Sequence, residues 1–228
     1  MVSIKNVTVD GNQQTIAQLI TAAAERFGDS TFLEDDNLTL DFRSFAQQCR
    51  RVAAAVIASG LQPGDRVGIW APNISEWVIA ALGAQYAGMV LVTVNTRYKG
   101  SEAAYILRTS RVELLFCIGE FLGVDYPALL QGETLPHLRE IIVFQPSRGP
   151  YCRWQDFVQR GTAITDRAID KHAARMSGDD IADILFTSGT TGNPKGVMTT
   201  HAQNLSVFTI FADIVGFRAG DRYLVINP

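Results

Sequence analysis

The chain has 228 residues, 47% of them hydrophobic, and a formal net charge of −3 with acidic and basic residues interspersed. That is enough apolar material for a sizeable buried core, and without a basic patch there is no electrostatic footprint for nucleic acid. Cys49, Cys117 and Cys152 stand far apart with no Cys-x-x-Cys pair, which argues against a disulfide framework or zinc site and, with no secretory pattern at the amino terminus, leads to the expectation of a reducing, cytoplasmic compartment.

Thr15 and Gln18 form a capping-box pattern around Ile16, Leu19, Ile20, Ala23 and Phe27, whose spacing predicts an amphipathic helix stopped by Gly28. Thr31 to Glu34 and Leu38 to Asp41 flank the polar turn Asp35-Asp36-Asn37 and predict a β-hairpin. A second helix follows from about Phe42 to Ser59, burying Phe45, Cys49, Val52, Ala53, Val56 and Ile57, and Gly60 closes it. Pro63-Gly64-Asp65 then turns the chain into a short apolar strand, Val67 to Trp70, patterned for burial on both faces.

From there strand and helix alternate. Ser75 to Tyr86 is expected to be helical with Gly88 as its stop, and Val90 to Val94 to be the next strand. Because Gly83, Gln85 and Gly88 break the apolar region from Trp77 to Val94, it reads as helix then strand and not as an integral membrane span. Ser101 is expected to cap a helix carrying Ala104, Ile106 and Leu107, after which Leu114 to Cys117 and Ile141 to Phe144 supply two strands. Between Pro146 and Asp180 the pattern weakens into a long irregular connection. Ile181 to Phe186 and Val197 to Thr200 are further strands; a helix begins at Thr200 or His201 and runs through Leu205, Phe208, Phe211, Ala212 and Val215 to Gly216; Tyr223 to Ile226 is the last strand. The alternation predicts an α/β fold, a largely parallel sheet covered by helices on both faces, with subdomain boundaries near residues 60 and 200. Trp70, Trp77 and Trp154 are read as packing residues, and His137 and His172 as ordinary. His201, at a helix start, is read as a hydrogen-bonded cap, with an ionic or catalytic role as the alternative.

The stretch Ile184-Leu185-Phe186-Thr187-Ser188-Gly189-Thr190-Thr191-Gly192-Asn193-Pro194-Lys195-Gly196-Val197 opens from a buried run into hydroxyls, glycines and one cation, the composition of a phosphate cradle. Gly189, Gly192 and Gly196 permit backbone angles that let N–H groups converge on an anion, the hydroxyls add donors, Pro194 stops the loop continuing as helix, and Lys195 brings positive charge. A Walker-type P-loop does not fit, since Gly192 is followed by Asn-Pro and Lys195 by Gly196.

At these residues the chain resembles the adenylate-forming superfamily, whose phosphate-loop signature Thr-Ser-Gly-Thr-Thr-Gly-x-Pro-Lys-Gly is matched without departure. Leu38-Thr39-Leu40-Asp41-Phe42-Arg43-Ser44-Phe45 looks like the family's first motif, and Gly83 to Val92 through Asn95 like its second. Asn95-Thr96-Arg97-Tyr98 resembles a segment common in the acyl-CoA synthetase branch and is itself read as a strand-end turn held by Arg97. The family's later motifs have no counterpart, so the resemblance implies an incomplete part of the large amino-terminal domain, with the carboxy-terminal domain outside the chain and this piece inactive alone.

What the resemblance implies is a two-step ligation. A carboxylic acid, fatty or of a related acyl type, attacks the α-phosphate of ATP to give an acyl-adenylate and pyrophosphate, and coenzyme A then takes the acyl group. It places Thr187, Ser188, Gly189, Thr190, Thr191, Gly192 and Lys195 on the ATP phosphates, with Lys195 catalytic and Thr190 a Mg2+ contact. The alternatives are a catalytically incomplete nucleotide-loop fragment and an adenylation domain that loads a carrier protein. The unpartnered apolar faces lead to the further expectation of self-association.

Overall fold

In the computed structural model, which describes residues 15–187 and 194–225, helix α1 (Ile16–Phe27) starts at its capping box. The Gln18 N–H donates to the Thr15 hydroxyl, and the Gln18 side chain accepts from the Thr15 N–H at 2.9 Å. Gly28 ends the helix at φ +41°, a conformation L side chains rarely adopt. The hairpin β1 (Thr31–Glu34) and β2 (Thr39–Asp41) leads into α2 (Phe42–Ala58), whose first turn is capped by Asp41 accepting from the Ser44 N–H at 2.6 Å.

The hairpin turn also organises its surroundings. Asp35 accepts from the N–H groups of Asn37 and Leu38 at 2.8 and 2.9 Å, and from both the N–H and the hydroxyl of Ser75, the first residue of helix α3 (Ser75–Tyr86). No side chain within α3 caps its start, so a carboxylate forty positions upstream does it instead. The Ser75 hydroxyl, ahead of the backbone donors, holds the Asp35 carboxyl below the usual carboxylate range. A depressed folded-state pKa gives stability that is present above the unfolded value, near pH ~4, and is lost as pH falls through the folded one. Asp35→Asn is therefore expected to lower stability by about 0.5–2 kcal/mol at neutral pH, the usual cost of a lost cap. The gap between variant and wild type should close below about pH 4 in denaturant titrations; a gap independent of pH would contradict this assignment.

The main sheet is built from β3 (Arg66–Trp70), β4 (Val90–Thr93), β5 (Leu114–Cys117), β8 (Glu140–Val143), β9 (Cys152–Arg153), β10 (Ile181–Thr187) and β11 (Lys195–Thr200). A small separate hairpin, β6 (Glu120–Phe121) with β7 (Val124–Asp125), follows β5. The strand order is β11-β10-β4-β3-β5-β8-β9, parallel throughout except for the β10–β11 hairpin. From β3 the chain steps to β4 on one side and then crosses back to β5 on the other. Right-handed crossovers therefore put α3 and α4 (Gly100–Thr109) on opposite faces, and the reversal makes a crevice outside the carboxyl ends of the strands. Helices α2 and α3 meet through Gly83, where a Cβ would lie 2.5 Å from that of Val52. Arg50 on α2 bridges to the Tyr86 hydroxyl and to Asp166 and Asp170, tying α3 and α6 (Asp166–Ala173) to it. Cys49 and Cys117 are buried in one apolar cluster running from Ile16 to Leu205, and burial pushes the Cys117 thiol up to about 12.

Three expectations are corrected. Helix α4 begins at Gly100, ahead of Ser101, because the Glu102 carboxylate reaches back to the Lys99 N–H at 2.8 Å and Gly100 lies against the Leu129 carbonyl. The stretch from Pro146 to Asp180 is not irregular: it holds β9, α5 (Trp154–Arg160) and α6. Each of these helices sends one fully buried anchor inward, Phe157 and Ile169, too few for a periodic signal. Tyr223 to Val225 pair with no strand among the described residues; the Tyr223 ring instead packs edge-on against Phe211 and Phe217, while Ile226 lies outside the described residues.

Candidate functional site

Strands β3, β4 and β10 run parallel and finish at one edge, with Trp70, Thr93 and Thr187 at their ends. Outside that edge is a crevice of about 840 Å3, lined among others by Asp35, Ser75, Asn95, Tyr98 and Phe186. Thr187 stands opposite Lys195 in the last rung of the β10–β11 ladder, so the two described residues among those expected on the ATP phosphates are brought together at the base of the loop. Lys195 is exposed. Ser188, Gly189, Thr190, Thr191 and Gly192 lie outside the described residues. Helix α7 (His201–Val215) follows β11 directly, its Thr200 hydroxyl accepting from the Gln203 N–H at 3.2 Å.

Gly196 also has a packing role. It pairs with Phe186 inside the ladder, and a Cβ there would lie 2.9 Å from a methyl carbon of Ile184 and 3.2 Å from the Phe186 ring. The glycine gives room to Ile184 and to the Phe186 ring, a wall of the crevice.

The turn after β4 forms the facing rim. Asn95 accepts from the Arg97 N–H through its side chain at 2.8 Å, and its carbonyl accepts from the Trp70 indole N–H at 3.1 Å. The Thr96 carbonyl accepts from the Tyr126 hydroxyl at 3.0 Å, and the Trp70 and Tyr126 rings meet edge to face. The turn is thus held by Asn95 and two aromatic clamps, while Arg97, expected to hold it, is exposed. An Asn two residues ahead of its N–H partner is a common short-range turn device, so the signal was available in the sequence.

His201 is almost fully buried: its Nδ1 accepts from the Ile16 N–H at 3.4 Å and its own N–H donates to the Asp180 carbonyl at 3.1 Å. Burial pushes its pKa below the ordinary histidine value, so the neutral ring is favoured. It joins the start of α7 to the start of α1, as a structural reading requires.

Two polar residues are buried inside apolar patterns, and of these Asp183 drew no reading from the sequence. Asp183 on β10 is buried and accepts from the Thr199 hydroxyl and the Asn204 amide, pinning β11 and α7 to the central sheet. Gln85 on α3 donates to the Ala182 carbonyl at 3.0 Å. Both line a second, mostly apolar cavity of about 640 Å3 between α1, α3 and α7. The available signal was a carboxylate interrupting an otherwise apolar strand.

Among the described residues no three His, Cys, Asp or Glu side chains gather as a metal site, and no helix is long and apolar enough to cross a membrane. The expected magnesium contact, Thr190, lies outside those residues.

Residues 20–228 match the profile of a family described as AMP-binding enzyme. The chain is 36% identical over 220 residues to 3-[(3aS,4S,7aS)-7a-methyl-1,5-dioxo-octahydro-1H-inden-4-yl]propanoyl:CoA ligase of Rhodococcus jostii (strain RHA1), covering 94% of this chain and 43% of the relative. It is 43% identical over 176 residues to the ligase of the same description from Mycobacterium tuberculosis (strain ATCC 25618 / H37Rv), covering 77% of this chain and 34% of the relative. Among solved structures, the anthranilate CoA ligase AuaEII in complex with anthranoyl-AMP superposes with a TM-score of 0.73 at 26% identity, over 83% of this chain and 35% of that one. The chain therefore spans less than half the length of these curated relatives.

Proposed function

The chain belongs to the AMP-binding enzyme family, and from that membership we propose that it carries the ATP phosphate loop of an enzyme that joins a carboxylic acid to coenzyme A through an acyl-adenylate. The observation that carries the proposal is the Thr187–Lys195 rung, which sets a hydroxyl and a cation at the base of the signature loop beside a switch-point crevice. The chemistry asks for such groups. A carboxylic acid, with pKa near ~4–5, is already ionised at neutral pH and needs no base, so the difficulty is bringing an anion to a polyanion while pyrophosphate gathers charge. Preorganised donors and a cation at the β- and γ-phosphates meet that need.

In the first step a carboxylate oxygen forms a bond to the α-phosphorus as the bond to pyrophosphate breaks. In the second, the thiol of coenzyme A forms a bond to the acyl carbon and AMP leaves. We assign Thr187, Ser188, Gly189, Thr190, Thr191, Gly192 and Lys195 to the ATP phosphates. Mg2+, if held through Thr190, would neutralise phosphate charge.

Two relatives are named for a fused-ring propanoate, and a solved relative holds an aromatic acyl-adenylate, which together support ring-bearing acids as the first to test, beside the fatty acids that the resemblance implies. Incubating the full-length enzyme with ATP, coenzyme A and such a panel should give acyl-CoA and AMP in equal amounts with at least one acid. Transfer to a carrier protein with none to coenzyme A would favour the adenylation-domain alternative, and formation of ADP in place of AMP would overturn the proposal.

A further inference from the structure

Tyr105 lies on the second turn of α4, and its hydroxyl donates to the carbonyl of Pro194 at 3.4 Å. Pro194 immediately precedes Lys195 and has no N–H, so that carbonyl is its one backbone hydrogen-bonding group. Beyond it, the backbone of Lys195 enters the ladder opposite Thr187. The return arm of the loop is therefore gripped by the sheet on one side of Pro194 and by a helix at Pro194 itself. We propose that Tyr105 is a positioning residue for Lys195, limiting the directions in which the lysine enters the crevice.

The helix that presents Tyr105 is well fixed. Gly100 lies so close to the Leu129 carbonyl that a Cβ would sit 2.0 Å from its oxygen, and Ala103, Ala104 and Ile106 are fully buried. Helix α4 also starts from the turn whose carbonyls are clamped by Trp70 and Tyr126. A continuous set of contacts thus runs from the buried end of β3 through the turn and α4 to the residue before the lysine. The Tyr105 ring packs against the core, so removing only its hydroxyl leaves that packing in place.

This inference rests on the proposed role of Lys195. If the return arm is loosened, only a fraction of the free enzyme holds the lysine in its ATP-binding direction, and the apparent ATP affinity falls by that fraction while the bound complex reacts as before. Tyr105→Phe in the full-length enzyme is thus expected to raise KM for ATP about 3–10-fold, the range a single neutral hydrogen bond supports, with kcat and KM for the carboxylic acid within about twofold of wild type. A merely structural role would instead lower the amount of active enzyme, reducing the maximal rate and the thermal midpoint while leaving KM for ATP unchanged. Either that pattern or an unchanged KM for ATP overturns the inference. Lys195→Ala measured alongside separates the two claims: loss of exchange with an unaffected Tyr105→Phe removes only the tether, whereas full exchange by Lys195→Ala removes the lysine's role and the tether with it.

Discussion

Replacing Lys195 by alanine in the full-length enzyme should slow carboxylate-dependent ATP–pyrophosphate exchange by ~10²–10³-fold, equivalent to ~2.7–4 kcal/mol of transition-state stabilisation. Pyrophosphate gains charge as it leaves, and a positioned cation matters most when that charge is greatest. Because Lys195 is exposed and its ladder bonds are made by its backbone, the substitution should leave the unfolding midpoint nearly unchanged. Lys195→Arg keeps the charge but exchanges a compact ammonium for a planar fork, so partial recovery of rate is expected. Exchange by the alanine variant within about threefold of wild type would contradict the assignment, being far less than a preorganised donor normally contributes.

The second large effect concerns α7. Its sequence is apolar around most of its circumference, a pattern that normally marks a helix buried on all sides, yet only His201, Leu205 and Ala212 are buried. Leu205 is packed into the core, and the exposure falls on its apolar neighbours. Val207 is 60% exposed, Ile210 55% and Ile214 79%. Full burial of such side chains contributes roughly 1.5–3 kcal/mol each, so the 228-residue polypeptide on its own is expected to cover this face with a second copy. Light scattering should give a mass above the 25.0 kDa monomer, and Ile214→Lys should shift it back toward that value. A monodisperse monomer for the unmodified polypeptide would refute this expectation.

The elements most legible in the sequence were those with local chemistry at their ends. The Thr15–Gln18 box, Gly28, Gly88 and Gly216 fixed the limits of α1, α3 and α7 because caps and positive-φ glycines act within one turn. The strand-loop-strand form of the signature stretch was legible because its residue types are rare in that order, and its two described ends meet across the hairpin. Contacts made over long sequence distances were not legible. Nothing near Ser75 announces that Asp35 will cap it, and nothing in the α4 sequence points Tyr105 at Pro194. The space that Gly196 leaves for Ile184 and Phe186 was hidden for the same reason, since both lie across the ladder. The short helices α5 and α6 escaped notice because a single buried anchor in each carries no period.

The central claim is that a carboxylate attacks the α-phosphate of ATP over the loop that Thr187 and Lys195 anchor. Its most direct test is to supply the full-length enzyme with a carboxylic acid labelled with oxygen-18 in both carboxyl oxygens, together with ATP and coenzyme A, and to follow the label by mass spectrometry. The attacking oxygen becomes the bridge of the acyl-adenylate and departs with the nucleotide when the thioester forms, so the account predicts one labelled oxygen in AMP and none in pyrophosphate. Label in inorganic phosphate, accompanied by ADP, would place the attack at the γ-phosphate and contradict it.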